Sequence, residues 1–339
     1  MVYVNAREAA KNALKYAFDA REGESIVIFC DAEKMKVGEA FVGGSQDLGM
    51  DAKLVSLRTA LNIFRRDIPQ EIMEFLTFRR PMIYVNLLRG IREETPFRIK
   101  LIQLETGDHK TRLGHCPGVT EDMLTNGALA LTGAEHRQLQ GLAENLIERL
   151  KQAVRIEIGN PAGTAVSLSV KGRPFFTDTK FNWASMKWMN LPTGEVCVAP
   201  VEDSLEGSVV CDLAIGGIGP IASPVRLDVK HGEVREVVSD DVEVTRKVKD
   251  SLDTDANAKI VGEFALGINS KARLVEEFLE AEKMLGTVHI AFGNNADFPG
   301  GKNPSGNHMD FMISRPTVRM VNESGSGAEI LTNGVFPRS

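Results

Sequence analysis

The sequence lacks several features that define common protein classes. Its four cysteines, Cys30, Cys116, Cys197 and Cys211, include no C-x-x-C pair, which argues against a zinc ribbon or a thioredoxin-like site and favours reduced core thiols. No apolar stretch approaches the roughly 20 residues that cross a bilayer, and the N-terminus shows no secretory signal pattern. We therefore expect a cytoplasmic protein that does not contact a membrane.

Charge and nucleotide-binding motifs are also sparse. The net charge of −6 is small for 339 residues, whereas general nucleic-acid binding needs a basic face. No G-x-G-x-x-G follows the first apolar run, and no P-loop lysine motif is present. We expect neither a nucleic-acid partner nor a nucleotide cofactor.

The first 150 residues alternate between helical and strand patterns. Continuous apolar runs predict strands at Ser25–Cys30, Ala52–Leu57 and Pro81–Leu87, and Arg98–Leu104 can be a fourth. Asp31 is expected to cap the helix that follows the first strand. This alternation predicts an α/β domain of the doubly wound type, with a mostly parallel sheet.

Beyond Arg155 the sequence changes to short alternating stretches that are separated by glycine. A hairpin is predicted across Lys230-His231-Gly232, and helices are predicted at Val242–Leu252 and Ser270–Met284. We expect a β-rich α+β domain with antiparallel or mixed sheet over residues 154–339. Residues 1–153 would then form the α/β domain, which covers the active site and mediates assembly.

A histidine and an aspartate lie two residues apart in a strand-like segment, His308-Met309-Asp310. Side chains two apart on a strand share a face, so this pair can supply half of a divalent metal site. A buried polar couple without metal explains the pair equally well.

Three further ionisable residues, Glu195, Glu263 and His289, lie in largely apolar segments beside glycines. Burying such groups is costly unless they are paired or bound to metal. Together with His308 and Asp310 they form a set of five ligand-type residues. Such a set suits two divalent ions that share a carboxylate, as in many hydrolases.

The segments around these residues carry a resemblance to the M29 family of metallo-aminopeptidases, the thermophilic aminopeptidase group. The matching segments follow in order over most of the chain, most strongly from about residue 155. They are Pro117–Thr120 with Asp122–Leu124, Gly163-Thr164, Gly172-Arg173, Asn190–Pro200 with Glu206-Gly207, Gly262-Glu263 with Gly267 and Asn269, and His289 with His308-x-Asp310.

The resemblance implies an aminopeptidase that removes N-terminal residues from peptides with two divalent ions such as Zn, Co, Mn or Mg. Glu195, Glu263, His289, His308 and Asp310 would be the metal ligands, and either Glu195 or Asp310 would bridge the ions. It also implies a two-domain homodimer. The catalytic general base stays unidentified from sequence, and the candidates are the carboxylates that follow Glu195, namely Glu202, Asp203 and Glu206.

One departure from the family concerns a tyrosine seven positions after the first ligand histidine. That position is Ala296 here, and the only tyrosines are Tyr3, Tyr16 and Tyr84, in the N-terminal part. A hydroxyl near a metal can donate to a developing oxyanion, so its loss weakens or redirects peptide hydrolysis.

Two alternative functions therefore stay open. His289, His308 and Asp310 could hold one Fe(II) in a ring-opening dioxygenase of the related dihydroxypyridine type. A metal-binding homologue with weakened peptidase activity is the other. His109 and His115, in the polar loop at residues 107–117, are expected to be exposed.

Overall fold

The computed structural model describes residues 4–60, 62–107, 110–182, 186 and 188–337. The chain divides into two compact units, of which the first comprises residues 1–140 and 178–193 and the second residues 141–177 and 194–339. The expected boundary between folding domains near residue 153 stays a prediction, because compactness alone does not test independent folding.

Helices and strands alternate in the N-terminal half, and strands predominate after it. The α-helices of the described residues are α1 Ala6–Asn12, α2 Met35–Gln46, α3 Gln70–Thr77, α4 Thr95–Thr106, α5 Glu121–Thr125, α6 Gly133–Leu150, α7 Val242–Leu252 and α8 Phe278–Ala281. The strands are β1 Ser25–Asp31, β2 Asp51–Leu57, β3 Ile83–Leu87, β4 Arg112–His115, β5 Arg155–Gly159, β6 Ala165–Ser169, β7 Phe176–Thr177, β8 Trp188–Asn190, β9 Glu195–Val198, β10 Glu206–Cys211, β11 Ala214–Ile215, β12 Gly219–Pro220, β13 Val225–Lys230, β14 Glu233–Val238, β15 Val261–Gly267, β16 Val288–Gly293, β17 His308–Ile313, β18 Thr317–Val321 and β19 Gly327–Leu331.

The first unit is built on a parallel five-stranded sheet in the order β2-β1-β3-β4-β8. Alternate residues of β1 enter two separate cores. Ile26 and Ile28 pack with residues of α1 and α2, whereas Val27 and Phe29 pack with residues of α3 and α4. Such two-sided burial explains why this strand reads as a continuous apolar run.

The strand predicted at Arg98–Leu104 is wrong, because this segment lies in α4. Proline in the first turn favours a helix start, and the buried residues Phe97, Leu101 and Glu105 recur every four positions. The fourth strand is β4 instead.

Asp31 does not cap the following helix as predicted. Its carboxylate binds the Arg65 guanidinium at 2.5 and 2.7 Å and accepts the Arg89 backbone N–H at 2.7 Å. Glu94, also fully buried, binds Arg65 at 2.5 Å and pairs with Arg89 as well. Arg89 is buried and the Arg65 side chain is only 12% exposed, so their need for carboxylate partners outweighs the gain from a helix cap.

The prediction of an exposed loop is wrong for His115, and His109 lies outside the described residues. His115 is the last residue of β4 and is buried, with its ring edge-on to Trp188 at 5.9 Å. Burial, aided by the charge of Arg98, lowers its pKa to about 3.

The second unit contains two antiparallel seven-stranded sheets. One has the order β14-β13-β10-β6-β5-β18-β19, and the other has the order β12-β11-β17-β16-β15-β9-β7. Together with the parallel sheet of the first unit, these two sheets confirm the predicted mixed fold, in which a parallel sheet is followed by β-rich antiparallel structure. Among the described residues, no helix combines the length and apolar character needed to cross a membrane.

The long helix predicted at Ser270–Met284 is wrong, since only α8 is helical there. Three charged residues of this segment, Glu280, Glu282 and Lys283, are buried. Glu280 binds Arg273 at 2.8 Å, and Lys283 binds Glu282 at 2.8 Å. Buried charges of this kind require charged partners, and a regular helix on the surface would not bring these partners together.

Candidate metal centre

Four neighbouring strands, β17, β16, β15 and β9, carry all five predicted ligands. Asp310 pairs across the sheet with Ala291, which in turn pairs with Glu263. His308 lies two residues from Asp310, and His289 lies two residues from Ala291. Paired residues and residues two apart share a face, so these four ionisable groups project from the same side.

Small residues on this face leave room for the larger side chains. Glu195 pairs with Gly267, which lies four residues from Glu263 and therefore on the same face. His289 pairs with Ala265. Gly293, opposite His308, has a φ of 112°, and a Cβ there would lie 2.2 Å from a backbone carbonyl oxygen. Only glycine fits that position.

The structure brings the five side chains into one cluster. His289 Nε2 lies 3.5 Å from Glu195 Oε2, 3.8 Å from Glu263 Oε1 and 4.0 Å from Asp310 Oδ1. His308 Nε2 lies 3.2 Å from Glu263 Oε2 and 3.4 Å from Asp310 Oδ1. His289 and Glu263 are buried, whereas the His308 side chain is 32% exposed. Access from solvent is therefore on the His308 side.

The charges of the cluster shift the ionisation of its members. Burial opposes the ionisation of Glu263, but hydrogen bonds from His289 and His308 hold its pKa well below the usual range. Burial also disfavours charge on His289, yet Glu263, Glu195 and Asp310 together raise its pKa to about 9. For His308, burial is likewise outweighed by Asp310 and Glu263, which raise its pKa well above the ordinary value. The carboxylates thus create a strong demand for positive charge.

The donor set fits a divalent metal ion. Glu263, His289 and Asp310 each place one donor atom within 4.8 Å of the others. His308 Nδ1 lies 2.8 Å from the Asn294 carbonyl oxygen, which can only accept, so Nδ1 carries the proton. In the neutral ring this leaves the Nε2 lone pair directed at the carboxylates, as in metal-binding histidines held by a carbonyl. Imidazole and carboxylate donors together suit ions such as Zn or Mn.

Cys197 lies on the same face as Glu195, because the two residues are two positions apart on β9. Its sulfur, together with oxygens of Glu195 and Glu263, forms a second group of donor atoms within 4.8 Å. Burial within β9 and a weak 3.8 Å contact of Sγ with the Phe176 carbonyl oxygen fit a core thiol.

Two residues beside the cluster were missed by sequence reasoning. Lys283 is buried, and its Nζ lies 2.5 Å from Glu195 Oε1 and 2.8 Å from Glu282 Oε1. Burial, helped by the charge of Asp310 and opposed by that of Lys283, raises the pKa of Glu282. The adjacent Glu-Lys pair at the end of a charged segment resembles a helix surface, so the sequence carried no signal of burial.

The three carboxylates that follow Glu195 are not part of this cluster's contacts. Glu202 binds Arg173 at 2.5 Å and accepts the Lys302 backbone N–H at 2.8 Å. Glu206 pairs with the exposed His231 at a hairpin turn, at 2.9 Å. Asp203 lies in the same turn region as Glu202. These partners favour structural roles for Glu202 and Glu206.

Ala296, at the position where the resemblance leads us to expect a tyrosine, is exposed in the loop between β16 and β17. An aromatic ring does reach the cluster from this loop, but it belongs to Phe298. Its centroid lies 5.9 Å from that of His308, with the ring planes at 64°. Phenylalanine offers no hydroxyl, so it cannot supply the donor that the tyrosine would.

Comparison with solved structures shows the same fold in two proteins. The 2,5-dihydroxypyridine dioxygenase from Pseudomonas putida KT2440 superposes with a TM-score of 0.70 and 16% identity, covering 98% of this chain and 97% of that one. AmpT from Thermus thermophilus superposes with a TM-score of 0.70 and 17% identity, covering 98% of this chain and 99% of that one. At such identities the likeness concerns the fold alone.

Sequence comparison identifies the family. No curated protein matches the chain significantly by sequence. The model of the family described as thermophilic metalloprotease (M29) matches residues 134–336, which include all five residues of the cluster. Since that match spans more than half of the sequence, the chain belongs to the thermophilic metalloprotease family M29, a family of hydrolases.

Proposed function

We propose that this chain is a divalent-metal-dependent aminopeptidase that removes N-terminal residues from peptides. The observation that carries the proposal is the convergence of five ligand-type side chains on one sheet face, with both histidine Nε2 atoms within 4.0 Å of carboxylate oxygens. The ligands would be Glu195, Glu263, His289, His308 and Asp310. Membership of a metalloprotease family supports a peptide substrate.

The number of candidate ligands supports two ions rather than one. Lys283 balances one of the three negative charges of Glu195, Glu263 and Asp310, so charge alone would be met by a single divalent ion. Five ligand-type side chains, among which Glu263 faces both histidines, instead suit two ions of the Zn, Co, Mn or Mg type. Such a pair lowers the pKa of bound water and polarises a substrate carbonyl.

Glu263 is the carboxylate best placed to be shared by two ions. Its Oε1 faces His289 and its Oε2 faces His308. Glu195 was one of the two residues expected to bridge, but its Oε1 is bound by Lys283, which leaves Oε2 toward the cluster. Asp310, the other, directs the same oxygen, Oδ1, at both histidines. We therefore assign the shared position to Glu263.

Glu282 is our candidate for the general base. It is a buried carboxylate outside the proposed ligand set, and Lys283 links it to Glu195. A carboxylate whose pKa is raised accepts a proton from attacking water more effectively than an ordinary carboxylate. Glu282→Gln should lower kcat by about 10²-fold or more with metal content unchanged. Undiminished kcat would rule out this role.

The resemblance to M29 enzymes also leads us to propose a homodimer. Sedimentation velocity on the full chain measures its mass directly. A species of about 74 kDa, twice the 37.1 kDa of one chain, is expected. A single species at the monomer mass would contradict the dimer without affecting the proposed chemistry.

An Fe(II)-dependent ring-opening dioxygenase is the second candidate. His289, His308 and Asp310 converge as two imidazoles and one carboxylate, which is the ligand type of non-haem Fe(II) oxygenases. Two observations support this second candidate, namely the fold shared with a dihydroxypyridine dioxygenase and the alanine at position 296. One oxygen-sensitive iron per chain would support it, against two Zn, Co or Mn ions for the aminopeptidase.

The proposal is tested by removing ligands and measuring metal content and amide cleavage on the same samples. Glu263→Ala and His308→Ala should release metal and abolish turnover of aminoacyl amides. His231→Ala is the matched control, because His231 is exposed at a hairpin turn. Full metal content and activity in both ligand variants would contradict the proposal.

A further inference from the structure

Two phenylalanine rings stand beside the most exposed of the five clustered residues. Phe298 packs edge-on to His308, and its centroid lies 5.3 Å from that of Phe176, with the planes at 75°. Phe176 pairs across the sheet with Cys197, which lies two residues from Glu195. Phe176 therefore projects from the same sheet face as the candidate ligands.

The turn that carries Phe298 is held in place by its own hydrogen bonds. The Phe298 N–H donates to the Asn295 carbonyl at 2.9 Å, and its carbonyl accepts the Gly301 N–H at 3.0 Å. The Asn303 N–H donates to Asn295 Oδ1 at 2.7 Å, and the Asn303 side chain donates to the Gly293 carbonyl at 2.7 Å. Both asparagines are buried, so the ring is presented from a fixed support.

Both rings are only half-buried, although neighbouring β16 and β17 residues are almost all buried. Large apolar side chains normally bury most of their surface, and those left partly open beside polar groups commonly line binding sites. The pair lies next to His308, the member of the cluster most open to solvent. Its open surface thus adjoins the point where a substrate would enter.

We infer that Phe298 and Phe176 form the wall that receives the side chain of the substrate's first residue, and that the enzyme prefers large apolar residues there. This inference rests on the proposed aminopeptidase function. Moving an apolar side chain from water onto these rings lowers the free energy of the complex. A charged side chain would instead lose hydration, and the rings offer it no ion-pair partner.

A shielding role for Phe298 makes a different prediction. If the ring only orients His308, its removal would weaken metal binding and slow all substrates by the same factor. A wall for the substrate side chain instead changes the ratio between substrates and leaves the metal in place. The two roles are separated by measuring metal content together with kcat/KM for several substrates.

The test compares leucine, alanine and lysine amides in the metal-loaded full chain and in the variants Phe298→Ala and Phe176→Ala. The wild-type kcat/KM should be highest for leucine amide. The leucine-to-alanine ratio should fall by about 10-fold or more in Phe298→Ala, as expected when a hydrophobic pocket loses contacts with a larger side chain. Metal content should not change. Phe78→Ala, which removes a 91% exposed ring in the parallel-sheet unit, is the matched control and should keep the wild-type ratio.

Two results would overturn the inference. The leucine-to-alanine ratio could stay within twofold of wild type in both variants, or all substrates could slow equally with loss of metal. In either case wild-type cleavage would still support the aminopeptidase. If the fully loaded wild type cleaves none of the three amides, the proposed function fails first, and the side-chain preference fails with it.

Discussion

Glu263 directs its two carboxylate oxygens at two different histidines, with Oε1 3.8 Å from His289 Nε2 and Oε2 3.2 Å from His308 Nε2. Strand pairing places the three residues on adjacent strands, and burial restricts alternatives for the carboxylate. Glu263 thus faces both histidines of the cluster. Its loss should therefore affect both proposed ions.

Replacing single carboxylates by their amides should distinguish the shared ligand from the others. Glu263→Gln should retain close to no tightly bound metal, whereas Glu195→Gln should retain about one ion per chain, because Glu195 directs only Oε2 at the histidines while Lys283 binds its Oε1. Metal content after dialysis is the measurement. If Glu195→Gln loses both ions while Glu263→Gln keeps one, the assignment of the shared ligand is reversed.

Removing the buried lysine should destabilise the metal-free protein. Lys283→Met keeps most of the side-chain volume but leaves Glu195 and Glu282 without their ammonium partner. Breaking a buried ion pair from one side costs about 3–5 kcal/mol in the free energy of unfolding. Urea unfolding in the presence of chelator measures the change.

The matched control for this substitution is Lys151→Met. Lys151 is 70% exposed and pairs with Glu148 at the surface, so its loss should change the free energy of unfolding by about 0.5 kcal/mol or less. Equal effects from the buried and the exposed lysine would contradict a structural role for the Lys283 pairs.

Acid stability should depend on Glu94 in the parallel-sheet unit. Burial opposes its ionisation, yet hydrogen bonds from Arg65 and Arg89 lower its pKa to about 2, from an ordinary value of 4.5. Because the folded-state pKa is depressed, ionised Glu94 stabilises the fold above about pH 4.5, and this contribution disappears as the pH falls toward 2.

Glu94→Gln should therefore be less stable at pH 7 and should lose less stability than wild type between pH 4.5 and 2. Urea unfolding at several pH values gives the two curves. Glu74→Gln, at a side chain that is 53% exposed, serves as control. Parallel curves for wild type and Glu94→Gln would show that this carboxylate does not govern acid stability.

Placing a tyrosine at position 296, where the resemblance leads us to expect one, should increase peptide-bond hydrolysis. Ala296 is exposed in the loop that also carries Phe298, so the larger side chain can be accommodated. A new oxyanion donor is worth up to about 10²–10³ in kcat, and a gain of about 10-fold in Ala296→Tyr is a modest expectation. Ala296→Phe controls for the added ring. If the phenylalanine variant is equally fast, the hydroxyl has no role.

Local sequence patterns predicted those parts of the molecule whose structure follows from a single rule of residue spacing or burial. The two-residue spacing of His308 and Asp310 required a shared face, and β1 showed the apolar run of a strand buried on both sides. Arg98–Leu104 was ambiguous, because its apolar residues fit both strand and helix periods and tertiary burial decided for α4.

Other features depended on contacts between distant segments. Lys283 and Glu282 read as surface charges until the fold brings Glu195, almost ninety positions earlier, against the lysine. The contact of Phe298 with His308 likewise depends on a loop turn that hydrogen bonds between asparagines determine. Single-sequence patterns contain no information on such pairings.

A metal titration of chelator-treated protein, followed by leucine amide cleavage, decides between a two-ion aminopeptidase and its alternatives. We expect turnover to rise with added Zn, Co or Mn until about two equivalents per chain are bound. Saturation at one equivalent would contradict the two-ion site. Restoration by one Fe(II), with oxygen-dependent opening of a dihydroxypyridine ring and no amide cleavage, would contradict the aminopeptidase itself.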